Sequence, residues 1–145
     1  MLELPFIQDS TIRFTVKEHL WFLNRIKPIE NRLSYPISDI GSCELFWDKN
    51  YGVKNGVLGS FNWLSPKRIK VSILGKDSPD MIISTIIHEL HHKWQWERFK
   101  FLYPFLAIPF VRGFALERTA LIIENEADEL LGLPGLNSLN DNNQH

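Results

Sequence analysis

Cysteine is almost missing from this chain of 145 residues: there is one, Cys43. No internal disulfide can form, so a packed core must hold the fold, and a lone thiol suits a reducing, cytoplasmic setting. Long apolar runs are missing too. The most apolar segment, 99–123, is interrupted by Lys100, Pro104, Pro109, Arg112, Glu117 and Arg118. No stretch of about 18 uncharged apolar residues is left to span a bilayer. The segment from Met1 to Ser10 has neither a basic start nor an apolar run, so it does not read as a secretory signal. Excess charge of one sign is absent: the formal net charge is -1. Nothing therefore draws nucleic acid or anionic lipid to the chain as a whole, and no nucleic-acid partner is expected. Internal repeats are absent as well.

What is present suits one compact domain. The length and a hydrophobic content of 44% support a core without a partner chain. The expected domain covers 1–136, followed by a polar, frayed tail at 137–145. The apolar stretch 99–111 reads as packing beneath a functional site, with peripheral contact to a membrane surface as the weaker alternative.

The pattern along the chain predicts an α+β fold. After an irregular start through residue 13, Thr15 and Glu18 form a capping box for a helix whose apolar stripe is Val16, Leu20, Leu23 and Ile26, ending before Pro28. His19 lies off that stripe and reads as a surface residue. Cys43–Asp48 and Val57–Trp63 read as strands joined through a turn at Lys54-Asn55-Gly56. In 68–74, Ile69, Val71 and Ile73 alternate with Lys70 and Ser72, the mark of a half-buried strand. Three strands with short connections predict a small antiparallel sheet, with 68–74 as an edge that an extended peptide can join.

Ser78, Pro79 and Asp80 then start a helix expected to run to about Lys100, with Ile83, Ile86, Ile87, Leu90 and Trp94 on its buried side. A second long helix is expected over 114–131, closed by Gly132 and Pro134.

Three of the five histidines fall in one pentapeptide, His88-Glu89-Leu90-His91-His92. On a helix, residues four apart are separated by about 6 Å along the axis and about 40° around it, so His88 and His92 can present both imidazoles to one ion. Glu89 stands at the edge of that face, placed to act as a general base on a water without binding the metal. His91 lies off the face.

A catalytic zinc site takes three protein ligands and leaves one position for water. The only histidine downstream is His145, in the frayed tail. That excludes the pattern in which a third histidine closely follows the motif. The better source is Glu124-Asn125-Glu126-Ala127-Asp128 on the second helix. There Glu124 and Asp128 share a stripe with Leu121 and Leu131, beside Ala120, Ile123 and Ala127. A carboxylate among apolar neighbours is costly unless paired, and a divalent cation compensates it. Glu124 is therefore the expected third ligand, with Glu126 the fallback. Asp128, one turn further on, is placed to accept the other ring N–H of a ligating histidine. Ala127 lets the two helices approach.

His88-Glu89-x-x-His92 followed by Glu124-x-x-x-Asp128 resembles the gluzincin metallopeptidases, in which the second motif supplies a glutamate ligand and an aspartate beside a zinc-bound histidine. In the form Glu-x-x-Ala-Asp it is most similar to the prenyl-protein and stress-response membrane proteases of that clan, whose transmembrane helices have no counterpart here. The small soluble minigluzincins match better in size, and Gly59-Ser60-Phe61, then Ile69 to Ile73, then the helical motif is similar to short zinc proteases of this kind. The resemblance covers about residues 57–131. Gly41-Ser42-Cys43-Glu44-Leu45 is faintly similar to peptide deformylase, but that family's glycine-rich glutamine motif is missing and Cys43 reads as a buried strand residue.

The resemblance implies one zinc ion on His88, His92 and Glu124, a water in the fourth position, Glu89 as general base, and a peptide or protein substrate. Tyr103, His91 and Arg112 are the candidates for polarising the substrate carbonyl. The rivals are a zinc-binding regulatory or protein-binding module with little or no turnover, and hydrolysis of a non-peptide amide. Retention of Glu89 favours the peptidase, because a structural site needs no base.

Overall fold

The computed structural model describes residues 10–52, 57–99 and 116–133. Several expectations fall outside these residues: the turn at 54–56, the apolar segment from Lys100 to Ala115 with Tyr103 and Arg112, and the tail with His145.

Local chemistry sets the first helix. Strand β1, Thr11–Arg13, leads into helix α1, Val16–Ile26. The capping box is formed in both directions: Thr15 N–H donates to Glu18 Oε1 at 2.8 Å, and Glu18 N–H donates to Thr15 Oγ1 at 3.1 Å. The buried stripe of α1 differs from the expected one. Phe22 and Ile26 are in the core, whereas Val16 is 77% and Leu20 49% exposed. The face is turned because Phe22 packs tilted against Phe14 and edge-on to Trp47, which buries more surface than Val16 and Leu20 offer. His19 lies at the margin of that face, its Nε2 2.9 Å from the Ile40 carbonyl.

Strands β2, Glu44–Asp48, β3, Gly59–Phe61, and β4, Arg68–Ser72, complete a four-stranded sheet in the order β1-β2-β4-β3. The pair β2 and β4 is parallel and the other two pairs are antiparallel. The sheet is thus mixed, not the three-stranded antiparallel one expected. Burial explains the order. Leu45 registers with Ile69 and Trp47 with Val71, and all four are at most 1% exposed. Setting these two strands side by side makes one continuous apolar face. Gly59-Ser60-Phe61 has the least to bury and goes to the outside. For the same reason β4 is interior, and the strand at that edge of the sheet is β3.

Helix α2, Ile83–Arg98, packs against the sheet and against helix α3, Glu117–Leu131. It begins later than Ser78-Pro79-Asp80 suggest. Those residues form a 3-10 turn, Pro79–Met81, and the Ser78 side chain makes no capping bond. Ile83, Ile86, Ile87 and Leu90 are at most 1% exposed. On α3, Ala120, Ile123 and Ala127 are fully buried, and the two alanines let the helices come close. Gly132 ends α3 at φ 68, with Gly132 N–H to the Glu129 carbonyl at 3.2 Å and Leu133 N–H to the Asp128 carbonyl at 2.8 Å. This is the left-handed glycine cap expected from the sequence. Among the described residues no helix is long and apolar enough to cross a membrane.

Candidate metal centre

One turn of α2 separates His88 from His92, and their ring centroids are 4.8 Å apart. The two Nε2 atoms stand 3.1 Å from each other. The third corner is the carboxylate of Glu117, the first residue of α3. Its Oε1 lies 2.9 Å from His92 Nε2 and its Oε2 3.2 Å from His88 Nε2. Bonds of about 2.0–2.1 Å in tetrahedral directions separate ligand atoms by about 3.3 Å. The observed triangle is close to that spacing. Among the described residues, His88, His92 and Glu117 are the group of three side chains that could hold a metal ion.

The outer nitrogens of the two rings decide what this triangle can accept. His88 Nδ1 is 2.9 Å from Glu124 Oε2. A carboxylate only accepts, so Nδ1 carries the proton. His92 Nδ1 is 2.8 Å from Gln95 Oε1, and Gln95 Nε2 donates to the Leu116 carbonyl at 3.0 Å. That second bond orients the amide and leaves its oxygen to accept from His92. In the neutral tautomers both Nε2 lone pairs then point toward a carboxylate with no proton among them. Such a site takes either a cation or an extra proton. Burial disfavours a charged His88, but hydrogen bonds to Glu117 and Glu124 outweigh it and raise its pKa to about 10. Where protons rather than an ion fill the triangle, hydrogen bonds from His88 and His92 hold the Glu117 carboxyl well below the usual carboxylate range. Two imidazoles and a carboxylate make a donor set that suits zinc and neighbouring divalent metals.

The other expected site residues are distributed as follows. Glu124 is brought to His88, but at Nδ1, on the other side of the ring from Glu117. Glu89 is 8% exposed, and burial pushes its carboxyl pKa up against the opposing pull of His88 and His92. Its side chain runs toward β3: a Cβ on Gly59 would lie 3.4 Å from Glu89 Cγ and 2.6 Å from Thr85 Cγ2, so only glycine lets the strand come this near. Asp128 meets no histidine among the described residues. It is bonded to Ser84, and burial raises its pKa. Glu126, the fallback ligand, accepts from the backbone N–H and the hydroxyl of Ser34.

His91 is 1% exposed, with Nδ1 2.6 Å from the Pro36 carbonyl and Nε2 2.7 Å from Thr119 Oγ1. Both nitrogens are engaged in tying α2 to α3 and to the segment before Ile37, which leaves neither to polarise a substrate.

In the sequence Glu117 reads only as a break in an apolar run. A usable signal was there. Glu117 and Glu124 are seven residues apart, two turns on one helix face, with Ala120 and Ala127 beside them on the side that meets α2. No family model matches the chain, and neither a curated protein nor a solved structure shows significant similarity to it.

Proposed function

We propose that this chain is a zinc-dependent metallopeptidase in which His88, His92 and Glu117 hold the ion, while Glu124 and Gln95 set the histidine tautomers. The reading rests on one observation: two Nε2 lone pairs and a carboxylate meet within hydrogen-bonding distance, with both Nδ1 protons directed elsewhere. When bound, zinc supplies a Lewis acid that lowers the pKa of a water to about 7. Glu89, next to His88 in the motif, takes the proton of the attacking water and passes it to the departing amine nitrogen. Glu124 and Gln95, accepting from the Nδ1–H groups, would keep both Nε2 atoms turned toward the ion. Strand β3, drawn against Glu89 by Gly59, is the sheet edge on which an extended peptide would add as a further strand. The resemblance of His88-Glu89-x-x-His92 to gluzincin peptidases supports the same reaction class.

Metal analysis of the purified protein with a peptide-library digest tests this reading. The expected result is about one equivalent of zinc and cleavage by the wild type. Glu89→Gln should keep the metal and lose the cleavage. A wild type that holds zinc yet cleaves no peptide would replace the peptidase with a metal-binding module.

A further inference from the structure

The side chains of β3 and β4 that face away from α2 line a cavity remote from the metal centre. Gly59 is turned toward Thr85 and Glu89 of α2, so Ser60, the next residue along the strand, is turned the other way. Lys70 is opposite Ser60 in the register and shares its face. Together with Tyr51, Asn62, Ser65 and Arg68 they line a cavity of about 130 Å³.

Among the described residues the lining carries two positive charges and no carboxylate. The Tyr51 and Ser60 hydroxyls are bonded to each other at 2.8 Å, which uses only one of their two protons. Asn62 Oδ1 accepts from Leu64 N–H at 2.9 Å, so the amide NH2 remains as the donor. The Arg68 guanidinium lies 5.1 Å over the Phe46 ring, with Glu44 at 3.9 Å, the outer limit of an ion pair. Lys70 has no ion pair among the described residues. Hydroxyl, amide, ammonium and guanidinium donors around a small volume match a ligand that only accepts, and two cations match a dianion better than a single carboxylate. We propose that this cavity binds a phosphate group. The proposal is independent of the metal centre, which lies on the other side of the sheet.

Inorganic phosphate titrated into the isotope-labelled full chain at constant ionic strength should shift the amide signals of Ser60, Asn62, Ser65 and Arg68 saturably. Arg68→Gln combined with Lys70→Gln should weaken binding by about tenfold or more. Because Arg68 also packs on Phe46, a second variant is needed. Ser65→Asp, at an exposed position, adds a carboxylate to the lining without removing a packed side chain, and should weaken binding as much. A parallel titration with phosphoserine separates the sources. Tighter binding of the monoester indicates a phosphate carried on a larger molecule, and tighter binding of inorganic phosphate indicates the free anion. Absence of saturable shifts, equal shifts from acetate, shifts confined to residues around His88 and His92, or undiminished binding in both variants would overturn the proposal.

Discussion

Removing the two α3 carboxylates that meet His88, Glu117 and Glu124, one at a time separates holding an ion from orienting a ring. In the proposed site Glu117 would contribute one of three ligand atoms and the only anionic one; its oxygens lie 2.9 Å and 3.2 Å from the two Nε2 atoms. Glu124 meets only the outer nitrogen of His88. Loss of a hydrogen-bond partner behind a ligating histidine costs about 10–100-fold in metal affinity, or about 1.4–2.7 kcal/mol. Glu124→Ala should fall in that range. Glu124→Gln keeps a carbonyl oxygen that can accept from Nδ1–H, so its loss should stay within about tenfold. Glu117→Ala takes away a bond to the ion itself, and its loss should exceed about a hundredfold. Competition against a chromophoric zinc chelator measures all three, with circular dichroism confirming that each variant is folded. If Glu124→Ala abolishes binding while Glu117→Ala stays within tenfold of wild type, the assignment of the two carboxylates is reversed and the argument from the Nδ1 protons fails.

Zinc at about a thousand times its Kd should add about 4 kcal/mol of stability, raising Tm by about 8–16 °C for a domain of this size, and a chelator should reverse it. An unchanged melting curve would count against a site preformed in the folded chain. His91→Ala leaves the Pro36 carbonyl without its donor and the Thr119 hydroxyl with Gln95 Nε2 alone, and should cost about 1–3 kcal/mol by urea titration at an unchanged m value. A loss below about 0.5 kcal/mol would show that His91 does not clamp α2 to α3. The Cys43 thiol, 5% exposed and donating to the Ile40 carbonyl at 3.3 Å, has its pKa pushed up to about 12 by burial. Between the unfolded value, near 9, and about 12 the unfolded chain releases this proton and the folded chain keeps it, so stability falls as pH rises through that window. Cys43→Ala should flatten that slope, and iodoacetamide at pH 9 should label the wild type only after unfolding.

Features set within one or two turns of chain could be read directly. Thr15 and Glu18 lie three residues apart and form the capping box the sequence announces. Gly132 ends α3 in the left-handed conformation that few other residues tolerate. The pairing of His88 with His92 follows from helix geometry alone. The sheet order was less legible because two signals compete. The Asn-Gly dipeptide favours a hairpin after β2, but Leu45, Trp47, Ile69 and Val71 bury more when β2 and β4 are neighbours.

The identity of the carboxylate beside both imidazoles was illegible for a different reason. Hydrophobic periodicity fixes how α3 is rotated against α2, and by that criterion Glu117 and Glu124 are equivalent because they share a face. Periodicity does not fix the translation along the axis, and the two glutamates differ by a slide of about 10.5 Å. Contacts made elsewhere set that slide. Gln95 donates to the Leu116 carbonyl and His91 meets Thr119, both in the first turn of α3 or just before it. These bonds draw the start of α3 to the motif, so Glu117 meets the Nε2 pair and Glu124 reaches only the outer nitrogen of His88. The same Gln95 that orients His92 therefore also selects which acid stands beside the imidazoles, and neither role is visible until the helices are docked.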